Sequence, residues 1–214
     1  MKKPFLLVVV MLSLLAIGCA NFAALQTADV MPKGKSEFGM AATLNRYEVV
    51  YANDTDSLRH SARMPAVALW YRRGVAKRLD LSVFAWLPLG FRTGLKCQLA
   101  GASDRNGFAL SLGAEGGYAY IDREGLVFHL LEWHAPLYLG VDISEYFSLY
   151  AVPRYIGRCS FGEAGAGVGH AAAGTAGLKL GRRFPLYLEG TYGYEATTGG
   201  WFYSGAVGVG IRSR

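Results

Sequence analysis

Leu79-Asp80-Leu81-Ser82-Val83-Phe84-Ala85-Trp86-Leu87, then Pro88-Leu89-Gly90, then Phe91-Arg92-Thr93-Gly94-Leu95-Lys96-Cys97-Gln98-Leu99, is the stretch whose pattern decides the fold. Leu79, Leu81, Val83, Ala85 and Leu87 form one row, which Phe91, Thr93, Leu95, Cys97 and Leu99 continue beyond the link. Asp80, Ser82, Phe84, Trp86, Arg92, Gly94, Lys96 and Gln98 form the other. Successive side chains of a strand point to opposite faces, so strict period two marks two strands joined by a tight turn. One face is greasy throughout. The other mixes charges with aromatics, which neither a solvated face nor a plain apolar core does.

The same alternation recurs along the chain. It reads outward as Phe38, Met40, Ala42 and Leu44, and inward as Glu37, Gly39, Ala41, Thr43 and Asn45. Further segments fall at 66–75, 108–120, 127–139, 147–155, 168–180, 186–194 and 201–211. Each is close to the length of about 9–11 residues that a tilted strand needs to cross a bilayer. The expectation is an all-β, transmembrane, antiparallel up-and-down β-barrel of ten strands, with eight or twelve as the alternatives. Closure follows from the greasy row, because open sheet edges do not survive in hydrocarbon. The 28 glycines suit a coiled barrel wall and oppose helices.

Two independent features support the map. Links at 76–79, 143–146 and 181–185 are short and fall on one side, whereas 46–64 and 157–166 are longer and fall on the other; the tight Pro88-Leu89-Gly90 link outside and the longer Ala100–Asn106 link inside are exceptions. Bacterial barrels place short turns in the periplasm and longer loops outside. Outward aromatics also sort by depth: Phe38, Phe108 and Phe147 at the inner ends; Phe91, Tyr118, Tyr120, Tyr155, Tyr192, Tyr194 and Trp201 at the outer ends. That is the double girdle of a membrane barrel.

At the N-terminus, Lys2 and Lys3 precede an apolar run from Phe5 to Ile17, then Gly18 and Cys19. A basic start, a short apolar core and a small residue describe a secretory signal, and the run is shorter than the roughly 20 residues a membrane helix needs. The expected organisation is a signal peptide over 1–18, a lipidated linker over 19–34 and the barrel over 35–214. Leu15-Ala16-Ile17-Gly18-Cys19 resembles the lipobox of bacterial lipoproteins. Together with Leu25-Gln26-Thr27-Ala28 and Pro32-Lys33-Gly34-Lys35, it resembles the opening of small outer-membrane β-barrel lipoproteins of proteobacteria. The resemblance implies acyl chains such as palmitate on Cys19, outer-membrane lipid and lipopolysaccharide as surroundings, and both termini in the periplasm. Cys97 and Cys159 map to opposite ends of the barrel and are expected as free thiols.

The whole chain carries a net charge of +6, but its lysines and arginines are scattered rather than gathered on one face, so no nucleic-acid partner is expected. Candidate chemistry sits on the inward rows. Glu132 and His134 share a face with Arg154 on the next strand, and Glu115, Arg92, Lys96, Glu189 and Lys179 complete the set. Near-balance of signs points to a network of paired charges filling the lumen, since buried charges without partners are costly. No metal-ligand spacing and no cofactor motif is present, and the Glu132–His134 pair lacks a nucleophile. Three roles stand. The first is a structural or surface-interacting barrel, with a ligand at 46–64 (Asn53, Asp54, Asp56, Arg59, His60, Arg63) or 157–166. The others are a narrow passive channel and a barrel hydrolase acting on envelope lipid.

Overall fold

The computed structural model describes residues 23–52, 57–87, 90–101, 107–123, 126–162, 165–197 and 199–213. Ten strands follow one another: β1 Ser36–Ala52, β2 Ser57–Ala76, β3 Leu79–Leu87, β4 Gly90–Ala100, β5 Gly107–Arg123, β6 Leu126–Ser144, β7 Phe147–Gly162, β8 Gly165–Leu180, β9 Leu186–Glu195 and β10 Gly200–Arg212. Each pairs antiparallel with its sequence neighbours, and β1 pairs with β10 to close the barrel. The wall is the ten-stranded up-and-down barrel that the alternation implies.

Inward and outward rows fall where the period-two pattern puts them. Glu37, Thr43, Asn45, Trp70, Arg72, Phe84, Trp86, Arg92 and Lys96 are buried, and Phe38, Met40, Leu44, Leu81, Leu95, Val207 and Ile211 are exposed. Exposed apolar side chains encircle the wall, far beyond the few hundred Å² that a water-facing monomer tolerates. Such a surface belongs in hydrocarbon. Its aromatics lie in two bands: Phe38, Tyr71, Phe108, Tyr146 and Phe184 near the end that carries the short turns, and Tyr155, Tyr192, Tyr194, Trp201 and Tyr203 toward the other. Trp133 lies between the bands, flat against Gly157 of β7, where a Cβ would come within 2.0 Å of its ring.

One expectation about the far end is corrected. Residues 46–64 and 157–166, read as long loops, are mostly strand. Register continues through Ala52↔Ser57 in the β1–β2 hairpin and through Gly162↔Gly165 in the β7–β8 hairpin. The described backbone keeps its ladder hydrogen bonds above the greasy band, where no apolar row is needed and the alternation fades. Asn53, Asp54 and Asp56 lie outside the described residues, and Arg59, His60 and Arg63 sit on β2. The rim is therefore uneven: β3 has 9 residues and β4 has 11, whereas β2 has 20 and β6 has 19.

Closure between β1 and β10 is reinforced from inside. Glu37 accepts hydrogen bonds from Arg72 Nη2 (2.8 Å), Arg212 Nε (2.6 Å), Tyr187 OH (2.9 Å) and Trp70 Nε1 (3.1 Å). One carboxylate thus ties β1, β2, β9 and β10 together. Trp70 reaches it because Gly39 and Gly208 leave room; a Cβ at Gly39 would stand 2.1 Å from the Trp70 ring. We expect Gly39→Val to force the indole off the seam and lower unfolding stability by about 2 kcal/mol. The readout is the urea midpoint in detergent, and an unchanged midpoint would show the seam to be looser than this.

Candidate functional site

The lumen holds the polar side chains of the described barrel, and it is occupied. Residues 23–31, expected as part of a linker over 19–34, run through its interior. Ala23, Leu25 and Ala28 have no exposed surface, and Gln26, Thr27, Val30 and Met31 are buried. From the short-turn end the segment enters beside Gly74, where Gly34 N donates to Gly74 O (2.8 Å). Gly74 must be glycine-like, because a Cβ there would lie 2.2 Å from Met31 O and 2.4 Å from Pro32 O.

Wall charges hold this strap by its backbone. Asp80 accepts from Met31 N (3.1 Å), and Lys96 Nζ donates to Thr27 O (3.0 Å) and Asp29 O (2.9 Å). Ser111 donates to Ala28 O, and Arg92 Nη2 donates to Ala23 O (3.1 Å). Glu189 accepts from two consecutive amides, Ala24 N (2.9 Å) and Leu25 N (2.5 Å), and from Tyr150 OH (2.7 Å). Two adjacent N–H groups converge on one carboxylate because Leu25 adopts φ +47°, a left-handed conformation that costs about 1–2 kcal/mol for a residue with a Cβ. Two charge-assisted bonds offset that cost.

Beside and above the strap, side chains close on one another. Arg92 Nε meets Glu115 Oε2 at 2.8 Å, and Tyr138 OH donates to Glu115 Oε1 at 2.6 Å. Arg154 donates to Thr175, whose hydroxyl lies 2.7 Å from that of Thr191. Lys179 is buried within electrostatic reach of Asp142 and Asp29. Nearer the far end, Arg158 bridges Glu132 and Glu195, each at 2.7 Å, and sits over the Phe202 ring at 5.9 Å.

The expected Glu132–His134–Arg154 grouping is not what forms. Glu132 stands in register with Arg158, and Arg154 pairs with Pro136 instead, because the β6–β7 turn that pairs Ser144 with Phe147 fixes the ladder and Arg154 lies four residues nearer to that turn than Arg158. His134 Nε2 is 3.6 Å from Glu132 and Nδ1 is 4.0 Å from Glu115, beyond hydrogen-bond distance, and neither ring nitrogen has a hydrogen-bonded partner among the described residues. No hydroxyl or thiol is thus poised on this imidazole for proton transfer. Among the described residues no three His, Cys, Asp or Glu side chains are placed to hold a metal ion. Cys97 and Cys159 are free. The two outward histidines are ring-packed: His129 stacks on Phe161 (5.2 Å between centroids) and contacts Tyr118 Oη at 2.6 Å, and His170 stacks on Tyr155 (5.9 Å).

No protein-family model matches the chain, and no curated protein matches it. Solved structures that share the barrel include the attachment invasion locus protein Ail of Yersinia pestis, at 13% identity and TM-score 0.37 over 85% of this chain and 99% of that one. They also include Neisserial surface protein A, at 12% and 0.40 over 84% and 99%. A third is the outer-membrane protease OmpT of Escherichia coli, at 9% and 0.41 over 87% and 99%. With TM-scores below 0.5, none of them assigns a role to this chain.

A buried strap makes a direct prediction. With Cys19, Cys97 and Cys159 replaced by serine, Ala28→Cys is expected to react with a water-soluble maleimide about a hundredfold more slowly than in the unfolded chain. Adding Asp80→Ala and Glu189→Ala removes three backbone anchors and is expected to raise that rate about tenfold. Fast labelling in the parent protein would place the strap outside the lumen.

Proposed function

We propose that this chain is an outer-membrane barrel lipoprotein with a structural or surface-interaction role, whose lumen is closed by its own N-terminal strap. The observation that carries the proposal is the strap itself. Charges that a channel would present to passing solutes are instead engaged with the backbone of residues 23–31, and the outer wall suits only hydrocarbon. A passive channel would need that lower lumen clear. A lipid hydrolase would need a nucleophile beside His134, and among the described residues the ring has none. Export by residues 1–18, periplasmic termini and contact with lipopolysaccharide belong to the same proposal. Surface interaction falls to the raised hairpins, β1–β2 and β7–β8, which carry the spans 46–64 and 157–166.

In planar bilayers the full-length protein is expected to be silent, whereas deletion of residues 23–31 should produce current events under the same voltage. Sustained conductance from the intact chain would overturn the closed-lumen proposal. A shift in gel mobility on boiling, retained in outer-membrane fractions, is the expected mark of the barrel in its membrane.

The acyl anchor sets a geometric condition. Cys19 precedes the fully buried Ala23 by four residues, and four residues reach at most about 14 Å. A seated strap and an acyl chain lodged in the leaflet draw on the same short tether. Intact-mass measurement of the mature protein decides the matter: a diacylglyceryl adduct on Cys19 supports the anchor, and an unmodified N-terminus removes it.

A further inference from the structure

Exposed cations gather at the short-turn end, where the strap leaves the barrel. Lys33 and Lys35 flank Gly34, and Arg73, Lys77 and Arg78 lie on β2 and the turn after it; all five are exposed. Their two backbone segments are laced together. Lys33 bridges to Gly74, Gly34 N donates to Gly74 O at 2.8 Å, and Gly74 N donates to Lys35 O at 3.0 Å. Ser36 pairs with Arg73 across the β1–β2 ladder, and Arg78 O accepts from Gln98 N at 2.9 Å. Five positive charges are therefore carried on a fixed scaffold rather than on a loose tail.

Charge balance is lopsided here. Among the described residues of this end the exposed carboxylate is Glu145, held by Arg182 at 2.6 Å, while Asp29 and Asp142 are half-buried within electrostatic reach of Lys179. Asp80 and Glu37, close by in sequence, are turned into the lumen and fully buried. Immediately along the same wall stand Phe38, Tyr71 and Val75, which are 52%, 40% and 37% exposed. An aromatic band marks the membrane–water boundary, so cations just beyond it lie at the depth of lipid phosphates.

We propose that the arc of Lys33, Lys35, Arg73, Lys77 and Arg78 binds the phosphodiester headgroups of anionic phospholipids, of the phosphatidylglycerol class, in the leaflet that surrounds this end. Fixed spacing and adjacency to the apolar wall favour a lipid, which offers phosphate and acyl chain together, over a soluble polyanion. The lysine and arginine stems lie along the wall and their heads meet the phosphates, as long cationic side chains do at interfaces. The proposal rests on the membrane-barrel proposal above, and it adds lipid selectivity at one rim.

The test reconstitutes the full-length barrel in phosphatidylcholine bilayers and measures how strongly spin-labelled phosphatidylglycerol and phosphatidylcholine associate with its boundary shell. The expected result is a preference for phosphatidylglycerol of about fivefold. It should collapse toward unity in Lys77→Ser/Arg78→Ser/Arg73→Ser and on adding salt to the parent protein, but persist in Arg46→Ser/Arg63→Ser, whose side chains face outward on the upper parts of β1 and β2. No preference in the parent protein, or an equal preference in the triple variant, overturns the proposal. Displacement of the labelled lipid by millimolar inorganic phosphate would assign the arc to a free anion and also overturn it. Should the triple variant fail to insert, the salt series on the parent protein decides. Insertion without selectivity leaves the barrel proposal standing and removes only this one; failure to insert even in phosphatidylcholine removes both.

Discussion

Glu37 is the interaction on which the closed wall most depends. A sheet in hydrocarbon cannot leave an edge unpaired, so the first and last strands must meet. Backbone pairing along β1 and β10 supplies the bonds, and Glu37 supplies the lock, because its donors come from β1's two neighbours and from β9. Desolvating a carboxylate is expensive. Two guanidinium groups, a phenol and an indole meet that cost together, and stripping one partner from such a buried set is worth about 3–5 kcal/mol. The glycines at 39 and 208 exist in this scheme as space for Trp70.

With the seam shut, the remaining inward charges face a narrow interior in which water is scarce. Side chains alone satisfy part of them, as in the Arg92–Glu115–Tyr138 group and the Glu132–Arg158–Glu195 bridge. Others are met by main chain. Asp80, Lys96, Ser111 and Glu189 lie on β3, β4, β5 and β9, and the strap crosses the lumen so that each finds a peptide group. Structure and chemistry are coupled here: the groups that look like a pore lining from the wall's side are the ligands of a plug.

Much of this was legible in the residues. Alternation gave the strand number and assigned the inward and outward rows, because a side-chain period of two admits no third orientation. The strap was hidden. Residues 23–31 are mostly small or apolar, with Gln26 and Asp29 among them and no period, which is also the look of a linker, and only the width of a ten-stranded lumen makes them an interior segment. The hairpins at 46–64 and 157–166 were missed for another reason: above the membrane a strand needs no apolar row. The Glu132 partner is missed when residues are matched by face alone, because the register counted from the Ser144–Phe147 turn brings Arg158, four residues beyond Arg154, opposite Glu132.

Because Gly34 and Lys35 tie the strap directly to the start of β1, its local concentration inside the lumen is that of a ligand on a very short tether, in the millimolar range or above. The wall holds the strap through its main-chain amides and carbonyls, and the buried side chains of Leu25 and Ala28 pack against Gly208 and Gly140. A soluble peptide meets a competitor that is never diluted, and the barrel stays closed to foreign chains without any feature that rejects them.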